Sequence, residues 1–332
     1  MAESPSSAFN GRGLLRLALT LLTLAVLGYS IFHARRMLQE PWQWNGPWLV
    51  GSIAVAVILF LGRAWKWRLL IASLDSSISF KQACTSYLGA MPLALVTPGR
   101  LGELSRCLFL PQKSVHNLAG AGRVMMDNWT DFLAVLVWST LGAYLLWGWP
   151  GAILGIAASL IFNQLKLWLK VLRYLLNKLT LIHSQKKMVL LRGMGLLKER
   201  IEQEFPSLEN LSTRDYTASV TLGILLYGLE WLQLAFLLRF LGFTPHNFLI
   251  LGGLMALATL ANSIQVTIAG VGVREGLAVL LLAKAGVDYR VALVAAFIQF
   301  ALNLMVPALL GLTLKPKSKL RGLFAVSENA LP

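Results

Sequence analysis

Charge is what this sequence has least of. Only 14% of its 332 residues are Asp, Glu, Lys or Arg, against roughly 25% in a soluble domain. With 56% hydrophobic residues, a water-soluble globule is excluded, because it has too little polar surface to cover its apolar content. Cysteine is nearly absent: Cys84 and Cys107 both lie in or beside apolar segments and read as small hydrophobes, not as a disulfide or metal pair. The four histidines, His33, His116, His183 and His246, are scattered, which argues against a metal site. No Walker loop and no nucleophile–base set is present, and no cofactor is expected. The longest polar segment, residues 173–214, has 42 residues, too few for a catalytic domain of ordinary size.

Long apolar runs are what the sequence has instead. Residues 14–32 and 48–61 reach or approach the ~20 apolar residues that cross a bilayer. They lack the two-residue alternation of barrel strands, so the expected class is an all-α integral membrane protein. The net charge of +15 does not point to nucleic acid, because most basic residues flank apolar runs, as in cytoplasmic loops. Arg12 and Arg16 precede the first run as in a signal peptide. That run is long and ends in "IFHARR" without a small-residue cleavage site, so it is read as an uncleaved span.

Six full spans are expected near 14–32, 48–68, 119–147, 150–171, 216–241 and 291–314. Residues 1–13 form a polar tail, 14–314 one transmembrane domain, and 315–332 a tail whose "KPKSKLR" is a cytoplasmic anchor. Arg63, Lys66 and Arg68 in "GRAWKWRLL" fit a cytoplasmic exit of the second span, and Trp42, Trp44 and Trp48 fit an interfacial belt. Within 173–214, Leu190, Met194, Leu197, Ile201 and Phe205 recur at helical spacing. They define an amphipathic helix lying on the membrane surface or packed under the bundle.

Two apolar stretches break instead of spanning. "LVTPGRLGE" (95–103) and "TIAGVGVRE" (267–275) each combine glycines with a charge pair. Gly99, Gly102 and Glu103 answer Gly270, Gly272 and Glu275. Further on, the four-residue step from Arg123 to Asp127 is answered by Gln299 and Asn303. With both termini and 173–214 cytoplasmic, the breaks belong to two re-entrant hairpins entering from opposite sides. The chain is then an inverted repeat, repeat A about 48–147 and repeat B about 216–314, a plan common to secondary transporters. Irregular backbone at membrane depth requires burial in protein or a wet cavity. Freed N–H groups at the ends of the half-helices make two anion-binding ends.

Arg100, Glu103, Arg106, Arg123, Asp127, Asp131, Glu230, Arg274 and Glu275 fall in or beside apolar stretches. Each costs about 2.5–3.5 kcal/mol at a helix centre, so they face a cavity or pair with one another. Arg123, Asp127 and Asp131 share one helix face. Glu230, inside "LLYGLEWLQL", is the most isolated charge. The functional reading makes these residues a substrate site, with Asp127, Asp131, Glu230 or Glu275 as proton carriers. The bland reading makes them ion pairs that hold the bundle together, with Arg106 at the cytoplasmic surface and Glu230 hydrogen-bonded to a neighbouring helix.

At "TPGRLGELSR" (97–106), "GRVMMDNWTDFL" (122–133), "AGVGVREG" (269–276) and "AGVDYRVALVAAFIQFALNLMVPALLGL" near the end, the chain resembles the flippase-like membrane region of lysylphosphatidylglycerol synthases. That family includes stand-alone members without the synthase domain. The resemblance covers roughly residues 14–314. It implies movement of an amphiphilic lipid, or a lipid-linked head group, between leaflets of the plasma (bacterial inner) membrane. It points to Arg100, Glu103, Arg106, Arg123, Asp127, Gly270, Gly272 and Glu275. One departure concerns the last span: Gln299 stands where members often have arginine. An anionic phospholipid or polyprenyl phosphate is the expected partner, with Arg100, Arg106, Arg123 and Arg274 offering guanidinium forks to phosphate. The competing expectations are an accessory subunit presenting lipid to a glycosyltransferase or other envelope-biosynthesis enzyme, and an intramembrane enzyme.

Overall fold

The structure, a computed structural model, describes residues 44–111, 117–164, 168, 212–244, 247–261 and 273–315. At 96, 98–101, 117–118, 248, 261 and 273–275 only the backbone is described. The expected first span, the amphipathic segment through 211, Gly270, Gly272 and the tail beyond 315 lie outside these residues.

Among the described residues every regular element is helical. Helix α1 (Gly46–Ala72) begins with Pro47 in its first turn, where a missing N–H is harmless. Helix α2 (Phe80–Val96) opens on a capping box: Ser79 Oγ accepts from the Gln82 N–H, and Gln82 Oε1 accepts from the Ser79 N–H. Its end follows from Pro98, which drives Thr97 into extended backbone (ψ 136°). The chain then coils as a 3-10 helix, Pro98–Phe109, folded back against α2. Helix α3 (Asn117–Trp147) is followed by Gly148, whose φ of 66° permits the turn into α4 (Trp149–Phe162). The second half holds α5 (Thr213–Phe240), α6 (Phe248–Ala261), α7 (Val273–Lys284) and α8 (Tyr289–Phe300). Helix α8 passes through a π turn, Ala301–Met305, into α9 (Val306–Gly311).

Four of these units are long and apolar enough to cross a membrane: Gly46–Ala72, Ala119–Trp147, Thr213–Phe240 and Tyr289–Gly311. Of the expected span over 150–171, the described part is α4, residues 163–164 and Trp168. Helix α4 stops at Phe162 after 14 residues, about 21 Å at 1.5 Å per residue, with Asn163 as its C-cap. Trp168 stacks on Phe162 with ring centroids 4.8 Å apart.

The two halves pack by exchange. The first long helix of each half, α1 and α5, run antiparallel: Trp48 meets Phe236, and Gly62 meets Leu226. The last long unit of each half packs on a shorter helix of the other. Helix α3 lies on α6 and α9 lies on α2. At the α3–α6 contact, a Cβ at Gly142 would stand 2.1 Å from the Gly253 carbonyl oxygen, so the two backbones touch.

The first break has the geometry that its glycines suggest. The Gly102 N–H donates to Thr97 Oγ1 at 2.7 Å, which satisfies a donor freed by Pro98. A Cβ at Gly102 would lie 2.1 Å from the Leu93 carbonyl carbon. Overpacking of this kind costs about 1–3 kcal/mol. Gly102→Ala is therefore expected to lower the unfolding midpoint of the detergent-solubilised protein. An unchanged midpoint would show that α2 and the 3-10 helix separate freely.

Candidate functional site

Carboxylates and cations alternate through the helices around the first break. Glu103 Oε2 accepts from Arg106 Nη2 at 2.9 Å within the 3-10 helix. Arg106 Nη1 reaches Asp127 Oδ2 on α3 at 2.5 Å. Asp127 Oδ1 in turn meets Lys66 Nζ of α1 at 3.0 Å, and Lys66 also donates to the Asp127 carbonyl at 3.0 Å. Lys66 finally pairs with Asp131, one turn further along α3. The order is Glu103, Arg106, Asp127, Lys66, Asp131. Its first four side chains are at most 4% exposed, while Asp131, at the far end, is 25% exposed.

Local sequence explains how the chain of charges is held. The four-residue step from Asp127 to Asp131 stacks both carboxylates on one face of α3. The three-residue step from Glu103 to Arg106 matches the three residues per turn of a 3-10 helix, so the two side chains eclipse. Above them, the Arg106 guanidinium lies 4.4 Å from the Tyr87 ring centroid and 5.4 Å from that of Trp67, aromatic faces that favour a cation. Ser86 Oγ donates to the Arg106 carbonyl and accepts from Trp67 Nε1, tying α1, α2 and the break together.

A second pair sits between α1 and α5, where Arg63 Nη2 donates to Glu230 Oε2 at 3.1 Å. Glu230 and Gln233 follow Arg63 and Lys66 by the same 167 residues. Where Lys66 bonds Asp127, Gln233 bonds Asn303 through a reciprocal amide pair (3.1 and 2.7 Å). Gln299 donates to the Glu230 carbonyl at 2.9 Å. The second half thus repeats the layout of the first with neutral amides in place of charges.

The sequence-selected residues fall into three groups. Glu103, Arg106, Asp127 and Asp131 come together in one network. Arg123 is buried one turn before Asp127 on the same helix, and Glu230 lies apart, against Arg63. Arg100, Arg274 and Glu275 are described in backbone only, and Gly99 lies in the 3-10 helix. Two expectations are corrected. Arg106 does not reach a surface but is 2% exposed. Lys66, read as part of a cytoplasmic exit with Arg63, is 1% exposed and holds two carboxylates. The reason is that α1 continues to Ala72, and its three-residue step turns Arg63 and Lys66 inward with Leu59, Trp67 and Leu70. Lys66, Arg63 and Gln233 are thus site residues that the sequence reading missed. Intramembrane carboxylates need cations within reach, and that requirement was the available signal.

No group of three or more His, Cys, Asp or Glu able to hold a metal occurs among the described residues. What the arrangement can do is keep cations desolvated yet paired. Arg106 and Lys66 each lie between two carboxylates, so either can yield one partner and retain the other.

These features define a polytopic helical membrane protein with a buried chain of ion pairs at a helix break. The family model described as the lysylphosphatidylglycerol synthase TM region matches residues 13–311, and the chain belongs to that family. A search of curated proteins finds no match.

Proposed function

We propose that the protein moves an anionic lipid or lipid-linked head group between the leaflets of the plasma membrane, both termini being cytoplasmic. The two Gly-rich breaks, in re-entrant hairpins, form the central polar passage. The observation that carries the reading is the buried chain Glu103–Arg106–Asp127–Lys66–Asp131. A lone cation at this depth is too costly to keep, and a lone anion too costly to pass. Arg106 meets both demands. A phosphate can take the place of Glu103 on its guanidinium while Asp127 holds the other side, so the cation is never bare. The planar guanidinium fork suits this exchange of carboxylate for phosphate. Membership of a family whose name refers to a phosphatidylglycerol-modifying synthase supports a lipid as the moving species.

Asp131, at the exposed end of the chain, is the proposed proton carrier, with Glu230 as its counterpart in the second half. Exchange should then respond to an imposed pH gradient. The direct test reconstitutes the purified protein with labelled phospholipids and a polyprenyl phosphate and follows leaflet exchange. Exchange of one anionic class is expected, and Glu103→Gln and Glu275→Gln should each slow it about tenfold, Glu103→Gln because a neutral amide no longer drives the phosphate off the Arg106 guanidinium. Correctly inserted protein that exchanges nothing, with both variants equally well assembled, would favour the accessory role beside an envelope-biosynthesis enzyme.

A further inference from the structure

Beside the ion chain, on the other side of Tyr87, a cleft opens between α1, α2, the π turn and α9, with Arg63, Tyr87 and Asn303 among its lining residues. Half-buried Phe60, Leu302 and Pro307 line the same cleft, and Val57, Ile58 and Leu61 on the adjoining face of α1 are exposed. In a membrane-spanning bundle that face meets acyl chains. The free volume is about 10 Å³, enough for a single oxygen-sized occupant.

The polar groups of this cleft have donors to spare. Among the described residues Arg63 makes one hydrogen bond, from Nη2 to Glu230, whereas a guanidinium carries five N–H groups. Its side chain is 18% exposed. Asn303 spends one N–H and one oxygen lone pair on Gln233, which leaves it a second N–H. The π turn carries Asn303, and such turns inside helices recur at functional sites. Tyr87 adds a hydroxyl. Arg63 and Glu230 are each the eighteenth residue of their helices, at least nine residues from either end. The donors therefore sit deep in the bundle, where water is scarce.

We propose that this cleft is a lateral binding site for a phosphoryl oxygen of a membrane lipid. Arg63, Tyr87 and Asn303 donate to that oxygen, and the acyl chains lie along Phe60, Leu302 and Pro307. Apolar walls over a floor with a few convergent donors suit an amphiphile. The inference rests on the reading of the chain as a lipid-handling protein and names where the head group is held. It places the second contact for phosphate on α1, a helix to which the sequence motifs assign no role.

The test uses the full chain in detergent, titrated with phosphatidylglycerol and with a diacylglycerol of the same acyl chains, bound lipid being read by native mass spectrometry. The wild type is expected to prefer the phospholipid by at least about tenfold. Tyr87→Phe, which keeps the ring against Arg106, should reduce that preference several-fold. The charge-balanced double variant Arg63→Gln, Glu230→Gln should lower it further, to what Arg106 alone supplies, without leaving a buried charge unpaired. Equal binding of the two lipids, or a preference unchanged in both variants, would overturn the site. Displacement of phosphatidylglycerol by inorganic phosphate alone would reassign it to a free anion and overturn the lipid assignment. The outcomes also separate this inference from transport. Residue-dependent binding without leaflet exchange removes transport and keeps the site, while exchange with unaltered binding in the variants removes the site alone.

Discussion

Lys66→Met is expected to destabilise the protein by about 3–5 kcal/mol, the range for breaking a buried ion pair by removing one partner. Methionine matches the lysine stem in length, so the loss is one of charge and not of packing. The lost cation is the only one that the structure places on both Asp127 and Asp131 among the described residues. Asp127 keeps Arg106, whereas Asp131 is left facing Asp127 from the next turn of α3 with no cation between them. The readout is the temperature at which the detergent-solubilised protein loses its monodisperse elution peak. A double variant, Lys66→Met with Asp131→Asn, removes a charge of each sign and should recover most of the loss. If Lys66→Met is as stable as the wild type, Lys66 is not buried between these carboxylates, and the ion chain ends at Asp127.

Arg106→Lys is expected to slow leaflet exchange by about 10–100-fold while leaving the fold largely intact, since a hydrogen bond to a charged group is worth about 1.5–3 kcal/mol. The charge is unchanged. What goes is the fork: Arg106 uses Nη1 for Asp127 and Nη2 for Glu103 at the same time, and an ammonium has no such planar pair. A lysine also loses most of the stacking on Tyr87 that holds the guanidinium in place. Exchange rates are read in reconstituted vesicles at matched protein content. Exchange at the wild-type rate would mean that net charge alone suffices and that no phosphate replaces Glu103 on a guanidinium.

Much of the bundle was legible because apolar length and charge are blunt signals. Helices α1, α3 and α5 lie where the runs of hydrophobic residues place them, and Pro98 and Gly102 mark the first break as their chemistry requires. Glu103, Arg106 and Asp127 stood out because a charge inside an apolar stretch is expensive. Arg63 and Lys66 did not, because basic residues interleaved with Trp65 and Trp67 are also the composition of an interfacial exit. Only the three-dimensional face separates them: Trp65 is 44% exposed while Lys66 and Trp67 are buried. The π turn at Ala301–Met305 left no mark in the sequence, because its extra residue is accommodated in backbone hydrogen bonding and not in residue type. The interruption of α4 at Asn163 left no mark for a related reason: the apolar pattern continues past Phe162, and composition does not register the C-cap. The match between Lys66–Asp127 and Gln233–Asn303 was half visible, in the four-residue step shared by Arg123–Asp127 and Gln299–Asn303. Its other half, on α1 and α5, needed the contacts.

The measurement that bears most directly on the account is leaflet exchange by the purified wild-type protein in vesicles carrying labelled phosphatidylglycerol, a labelled polyprenyl phosphate or a labelled neutral diacylglycerol. Exchange of an anionic lipid well above protein-free vesicles, with no acceleration of the diacylglycerol beyond its own rapid unassisted exchange, is the predicted result. Exchange no faster than in protein-free vesicles, from protein shown to be folded and inserted, would contradict it.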